Sequence, residues 1–127
     1  EFTKSLAARL NELSKVHVKE AEDGEYVQKG TVYIAPGGKH MLVSYQGGRH
    51  RIVLNEDEPV IGLRPYANYM YNSLVQSNYE EITCVVLTGM GSDGTEGIKR
   101  LNSSKNIYVI AQDATTSTVY GMPRSIA

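Results

Sequence analysis

Ile82-Thr83-Cys84-Val85-Val86-Leu87-Thr88, then Gly89-Met90-Gly91-Ser92-Asp93-Gly94, a helical stretch from Thr95 to Leu101, and Ile107-Tyr108-Val109-Ile110-Ala111: this run decides the fold. The first segment is apolar and β-branched, as a buried strand must be. The glycine-rich segment cannot continue it. The third returns to helix and the fourth is again a strand. Strand, loop, helix and strand within about 30 residues make a βαβ unit, and such units build parallel sheets.

Working outward, Thr31–Ala35 reads as another strand, stopped by Pro36-Gly37-Gly38. It is expected to lie parallel to Ile82–Thr88 and Ile107–Ala111 in one sheet. Met41–Tyr45 and Arg51–Leu54 flank Gly47-Gly48, a β-hairpin signal. Val16, Val18 and Ala21 suggest a short strand before the turn at Glu22-Asp23-Gly24. Residues 3 to 14 form an amphipathic pattern on Leu6, Leu10 and Leu13, with Thr3 as N-cap. Asn55–Arg64 reads as a loop, and Pro65 is placed to open a helix reaching about Ser77. The predicted class is α/β, a doubly wound, mainly parallel sheet with helices on both faces and an inserted β-hairpin.

The 127 residues suffice for one domain, and 1–127 is read as a single domain. Both ends read as interior to a longer chain. Glu1 leads almost at once into a helix, and Ala127 follows closely on Pro123, where another helix is expected to start. An apolar share of 41% and a charged share of 21% fit an ordinary globular protein. The net charge of -1, without a long basic run, gives no sign of a nucleic-acid or anionic-membrane partner. No stretch reaches the ~18 apolar residues of a membrane span, so no direct membrane insertion is expected. Cys84 is the one cysteine, which precludes an internal disulfide and suits a cytoplasmic location. Within its apolar run it reads as a core residue.

Chemistry is expected at Thr88–Gly94, since ligands of open parallel sheets bind beyond the carboxyl ends of the strands. Taken alone, Gly89, Gly91 and Gly94 fit G-x-G-x-x-G, and Asp113 stands where a ribose-binding acid would. Asp93 opposes that reading, because a carboxylate would face the pyrophosphate. A serine nucleophile elbow is also unsupported, because no glycine precedes Ser92 at the required spacing. A dinucleotide-binding unit, a structural turn and an active-site loop with Asp93 as its acid remain open on the residues alone.

Six ordered motifs narrow the choice. Val18-Lys19-Glu20-Ala21-Glu22-Asp23-Gly24, Tyr33-Ile34-Ala35-Pro36-Gly37-Gly38 with His40-Met41, and Arg64-Pro65 come first. Leu87-Thr88-Gly89-Met90-Gly91 with Asp93-Gly94, Ala111-Gln112-Asp113, and Val119-Tyr120-Gly121-Met122-Pro123 follow. Together with the helix from Phe2, they resemble the catalytic domain of the chemotaxis protein-glutamate methylesterases, which are also receptor glutamine deamidases. The resemblance runs the length of the chain.

It implies a hydrolase with a Ser-His-Asp triad, no cofactor and no metal. Asp93 corresponds to the triad acid, the backbone N–H near Met90 to an oxyanion donor, and Gly89, Gly91 and Gly94 to the active-site loop. The implied partners are methylated chemoreceptor cytoplasmic domains and a receiver domain of the same parent chain. The family's serine turn and His-Met-Pro segment have no counterpart within these residues, so the 127-residue chain alone is expected to be inactive, with apolar sheet surface uncovered. His17 and His50 read as solvated or hydrogen-bonded and His40 as structural. Tyr66-Ala67-Asn68 departs from the family's Ser-Val-Asp, which keeps a non-catalytic docking module as an alternative beside the dinucleotide unit.

Overall fold

The computed structural model describes residues 1–127 as two compact units, Glu1–Tyr66 and Ala67–Ala127. The first unit begins with α1 (Phe2–Leu13) and β1 (His17–Glu20), followed by β2 (Thr31–Ile34), parallel to β1. The hairpin of β3 (His40–Gln46) and β4 (Arg49–Asn55) turns at Gly47 and Gly48. Both glycines have positive φ, 61° and 79°, as a tight two-residue hairpin requires. Ala7, Val18, Ala21 and Ile52 form the buried apolar centre of this unit.

Thr3 does not cap α1. The helix starts one residue earlier with no side-chain cap. The Thr3 hydroxyl instead donates to the Glu20 carboxylate and accepts the Gly37 N–H at 3.0 Å. It therefore ties α1 to the ends of the two strands.

The second unit carries α2 (Ala67–Ser73) with a short 3-10 turn at Leu74–Gln76, and then β5 (Glu81–Val86). After them come α3 (Thr95–Asn102), β6 (Asn106–Ala111) and α4 (Gly121–Ile126). β5 and β6 pair in parallel from Glu81↔Asn106 to Val86↔Ala111, with α3 crossing between them. On one face Cys84 and Val86 are buried together with Ile98 and Leu101 of α3. Burying those two helical side chains, 2% and 0% exposed, contributes roughly 1.5–3 kcal/mol each. The other face of the pair presents Val85, Leu87, Tyr108 and Ile110 to solvent.

Two further expectations are corrected. Thr31–Ile34 does not share a sheet with Glu81–Val86 and Asn106–Ala111, because it pairs with His17–Glu20 and the later strands pair with each other. Periodicity shows which segments are extended and not which partner each takes, and pairing with a strand nearby in sequence closes the shorter loop. Pro65 does not open α2 either. Its helix begins at Ala67, where an acceptor from another loop meets the first free N–H groups.

Candidate active site

Thr88–Gly94 leaves the carboxyl end of β5 and is held by the segment that follows β6. The Thr88 N–H donates to Gln112 Oε1 at 2.7 Å. Its hydroxyl donates to the Val119 carbonyl at 3.0 Å and accepts the Val119 N–H at 2.8 Å. Gly89 donates to the Val119 carbonyl, while its own carbonyl accepts from Gly121 and Met122. The three downstream motifs of the sequence are thus one hydrogen-bonded assembly.

Gly121 has to be glycine for contact reasons. A Cβ there would stand 2.8 Å from the Gly91 nitrogen and 2.9 Å from the Gly89 oxygen. This packing also removes the basis of the dinucleotide alternative. The approach to the loop backbone that a pyrophosphate would need is filled at Gly89 and Gly91 by the chain's own Gly121. Asp113, its supposed ribose ligand, turns back on its own loop. One carboxylate oxygen accepts from the Thr115 hydroxyl and from the Thr116 hydroxyl and N–H. Those donors, the Thr116 hydroxyl foremost, hold its pKa below the usual carboxylate value.

Asp93 sits half-buried at the end of the loop. Oδ2 accepts the Ala67 N–H at 2.8 Å and Oδ1 accepts the Asn68 N–H at 3.1 Å. Both donors lie in the first turn of α2. The carboxylate therefore caps α2 from a distant loop and sits at the positive end of its peptide dipoles. Two N–H donors leave lone pairs on both oxygens, so a further donor such as an imidazole N–H can still be accepted.

Gly94, with φ of 96°, turns the chain from Asp93 into α3 against the ring of Tyr71. Burial pushes the Tyr71 phenol above its ordinary pKa, and the charges of Cys84 and Asp93 add to the shift. Burial likewise raises the Cys84 thiol, which fits a core thiol and not a nucleophile.

Met90 stands at the exposed tip, 83% accessible, and no backbone carbonyl takes its N–H. Ser92 is exposed and contributes its carbonyl to the Thr95 N–H. His40 is wholly buried, with Nε2 donating to the Glu58 carbonyl at 3.1 Å, a structural position. His50 lies 4.7 Å from the Tyr45 ring, and His17 is exposed at the start of β1. No group of three or more His, Cys, Asp or Glu side chains is arranged to hold a metal ion.

The family model described as CheB methylesterase matches residues 1–127. The chain belongs to this family. It is 47% identical over 124 residues to a protein-glutamate methylesterase/protein-glutamine glutaminase of Geobacillus kaustophilus, covering 98% of this chain and 36% of that protein. The corresponding protein of Oceanobacillus iheyensis is 50% identical over 127 residues, again with 98% and 36% covered. The chain thus spans about a third of the length of these curated relatives. The crystal structure of the Thermotoga maritima CheB methylesterase catalytic domain superposes with a TM-score of 0.92 at 41% identity, covering 98% of this chain and 66% of that one. That likeness bears out the α/β class expected from sequence. The family match supports neither the dinucleotide unit nor the docking module.

Sequence reasoning treated Asn68 only as a departure from the family pattern, whereas in the structure its Oδ1 accepts the Gly97 N–H at 2.8 Å.

Proposed function

We propose that this chain contributes the acidic member of a Ser-His-Asp triad to a protein-glutamate methylesterase, with all 127 residues forming part of one catalytic domain. The observation that carries the reading is the Asp93 carboxylate, fixed through both oxygens at the carboxyl end of a parallel strand. In this scheme a histidine donates an N–H to Asp93, which fixes its tautomer and stabilises the imidazolium as it takes the proton of the attacking serine. The Met90 N–H, at the tip of the loop, stabilises the oxyanion. Collapse of the tetrahedral intermediate expels the methoxy group, which takes the imidazolium proton and leaves as methanol, and water then hydrolyses the acyl-serine to release the γ-carboxylate. Attack on a glutamine side chain by the same route releases ammonia.

The serine and histidine come from sequence outside these residues, and the partners are methylated cytoplasmic domains of chemoreceptors. A receiver domain in the same polypeptide and a cytoplasmic location complete the proposal. No helix is long and apolar enough to cross a membrane.

Methanol release from a methylated receptor domain tests it, in the full-length enzyme carrying this sequence. Asp93→Asn is expected to lower turnover by about 10⁴-fold, as removal of the acid's orienting role does in a well-defined triad, with the circular-dichroism spectrum unchanged. Near-normal turnover would show that Asp93 only caps α2.

A further inference from the structure

Asp93 and Asn68 exchange caps between two helices. Asp93 precedes Gly94, the N-cap of α3, yet its carboxylate serves the first N–H groups of α2. Asn68, in the first turn of α2 and 7% exposed, sends Oδ1 to the N–H of Gly97 in the first turn of α3, at 2.8 Å. Gly97 makes this approach possible. A Cβ there would lie 2.7 Å from Tyr71 Cβ, 3.0 Å from Asn68 Oδ1 and 3.1 Å from Asn68 Cα.

From this reciprocal arrangement we infer that Asn68 is the positioning residue for the Asp93 carboxylate. The inference rests on the methylesterase reading above and adds to it a residue with no contact to substrate. The two N–H groups that orient Asp93 belong to the start of α2, so the carboxylate points wherever that helix start points. The Asn68–Gly97 bond fixes the start of α2 against the start of α3, from which the Asp93 loop itself arrives. Remove the bond and the donors can shift relative to the carboxylate's own backbone. The remaining lone pairs of Asp93 then no longer aim at the imidazole.

The test is steady-state methanol release by the full-length enzyme. Asn68→Ala is expected to lower kcat by about 10²-fold, the scale of a displacement near 1 Å in a catalytic group, and to leave KM unchanged. Asn68→Asp, which keeps an oxygen acceptor in the same place, restores most of the turnover. In an Asp93→Ala background the same Asn68→Ala change has no further effect on kcat, although it still lowers the melting temperature. A merely structural residue would not show that loss of effect.

Unchanged kcat in a folded Asn68→Ala enzyme would overturn the inference, as would a kcat loss that persists without Asp93. Should Asn68→Ala not fold, Asn68→Gln takes its place. It keeps the amide and displaces the oxygen by one methylene, with the same expected kcat loss and the same overturning result. Asp93→Asn, assayed alongside, separates the two levels. Its near-normal turnover would overturn the triad reading and the inference with it, whereas its strong loss beside an unaffected Asn68→Ala would overturn the inference alone.

Discussion

At Gly121 the smallest side chain in the protein sets the shape of the loop that carries Asp93. The residue has no conformational peculiarity to explain it; the neighbours explain it, since backbone atoms of Gly89 and Gly91 occupy the space of a Cβ. Flexible side chains can yield to a new methyl group, but backbone cannot yield without moving the loop. Gly121→Ala is therefore expected to destabilise the fold by about 1–3 kcal/mol, the usual cost of overpacking. In the full-length enzyme turnover should fall by more than the lost folded fraction explains. Urea denaturation beside methanol release checks both, and unchanged stability would mean that the contact relaxes freely. Residues of this kind were legible as a motif but not as a cause. The sequence shows that Gly89, Gly91 and Gly121 exist, whereas their mutual contact depends on a pairing of Thr88 with Val119 that no local pattern encodes. Asp93 stood out as a candidate for a different reason, through the likeness of its glycine loop to the family's own block, and its role as triad acid is the proposal tested above.

Helices α2 and α3 and the β5–β6 pair half-bury the Tyr71 phenol and bury the Cys84 thiol, from which a pH dependence of stability is expected. Tyr71 and Cys84 both have pKa values raised by burial above their ordinary 10.0 and 9.0. In the unfolded chain each loses its proton at the ordinary value, while in the folded chain each keeps it to higher pH. The folded state then binds more protons in that interval, so stability falls as pH rises. It is fully present below about pH 9, declines as the unfolded chain ionises and goes on declining up to the folded pKa values. Urea midpoints at about pH 7 and about pH 10.5 should show the decline. Tyr71→Phe and Cys84→Ala should each reduce it, and an equal decline in both variants would place its origin elsewhere. Element identity was largely readable from sequence, since apolar alternation, β-branched runs and glycine stops located all six strands within a residue or two. Partner choice was not. The β1 segment extends as well as β2 does, and no pattern within either one says that they pair with each other.

For the molecule as a whole, the proposed chemistry requires more than these 127 residues hold. A Gly-x-Ser-x-Gly turn and a His-Met-Pro stretch are both missing from the sequence, and the residues present do not replace them. Ser92 has no base arranged to activate it, and its carbonyl is used in the turn into α3. Among the histidines, His40 is enclosed and already donates to a backbone carbonyl, and His50 lies beside Tyr45. In the proposed scheme Asp93 works only through an imidazole that it orients, so on its own it can neither attack an ester nor take a serine proton. Loop glycines and a free N–H at Met90 can stabilise an oxyanion only after a nucleophile has formed one. Removing nucleophile and base together from a hydrolytic triad costs about 10⁶-fold in turnover. The 127-residue chain is therefore expected to release no methanol above background from a methylated receptor domain, under conditions in which the full-length enzyme turns over readily. Asp93→Asn should make no difference to the short chain while abolishing most activity of the long one. Methanol release by the short chain that disappears on Asp93→Asn would show that these residues hold a complete site, and the assignment of serine and histidine to sequence outside them would be wrong.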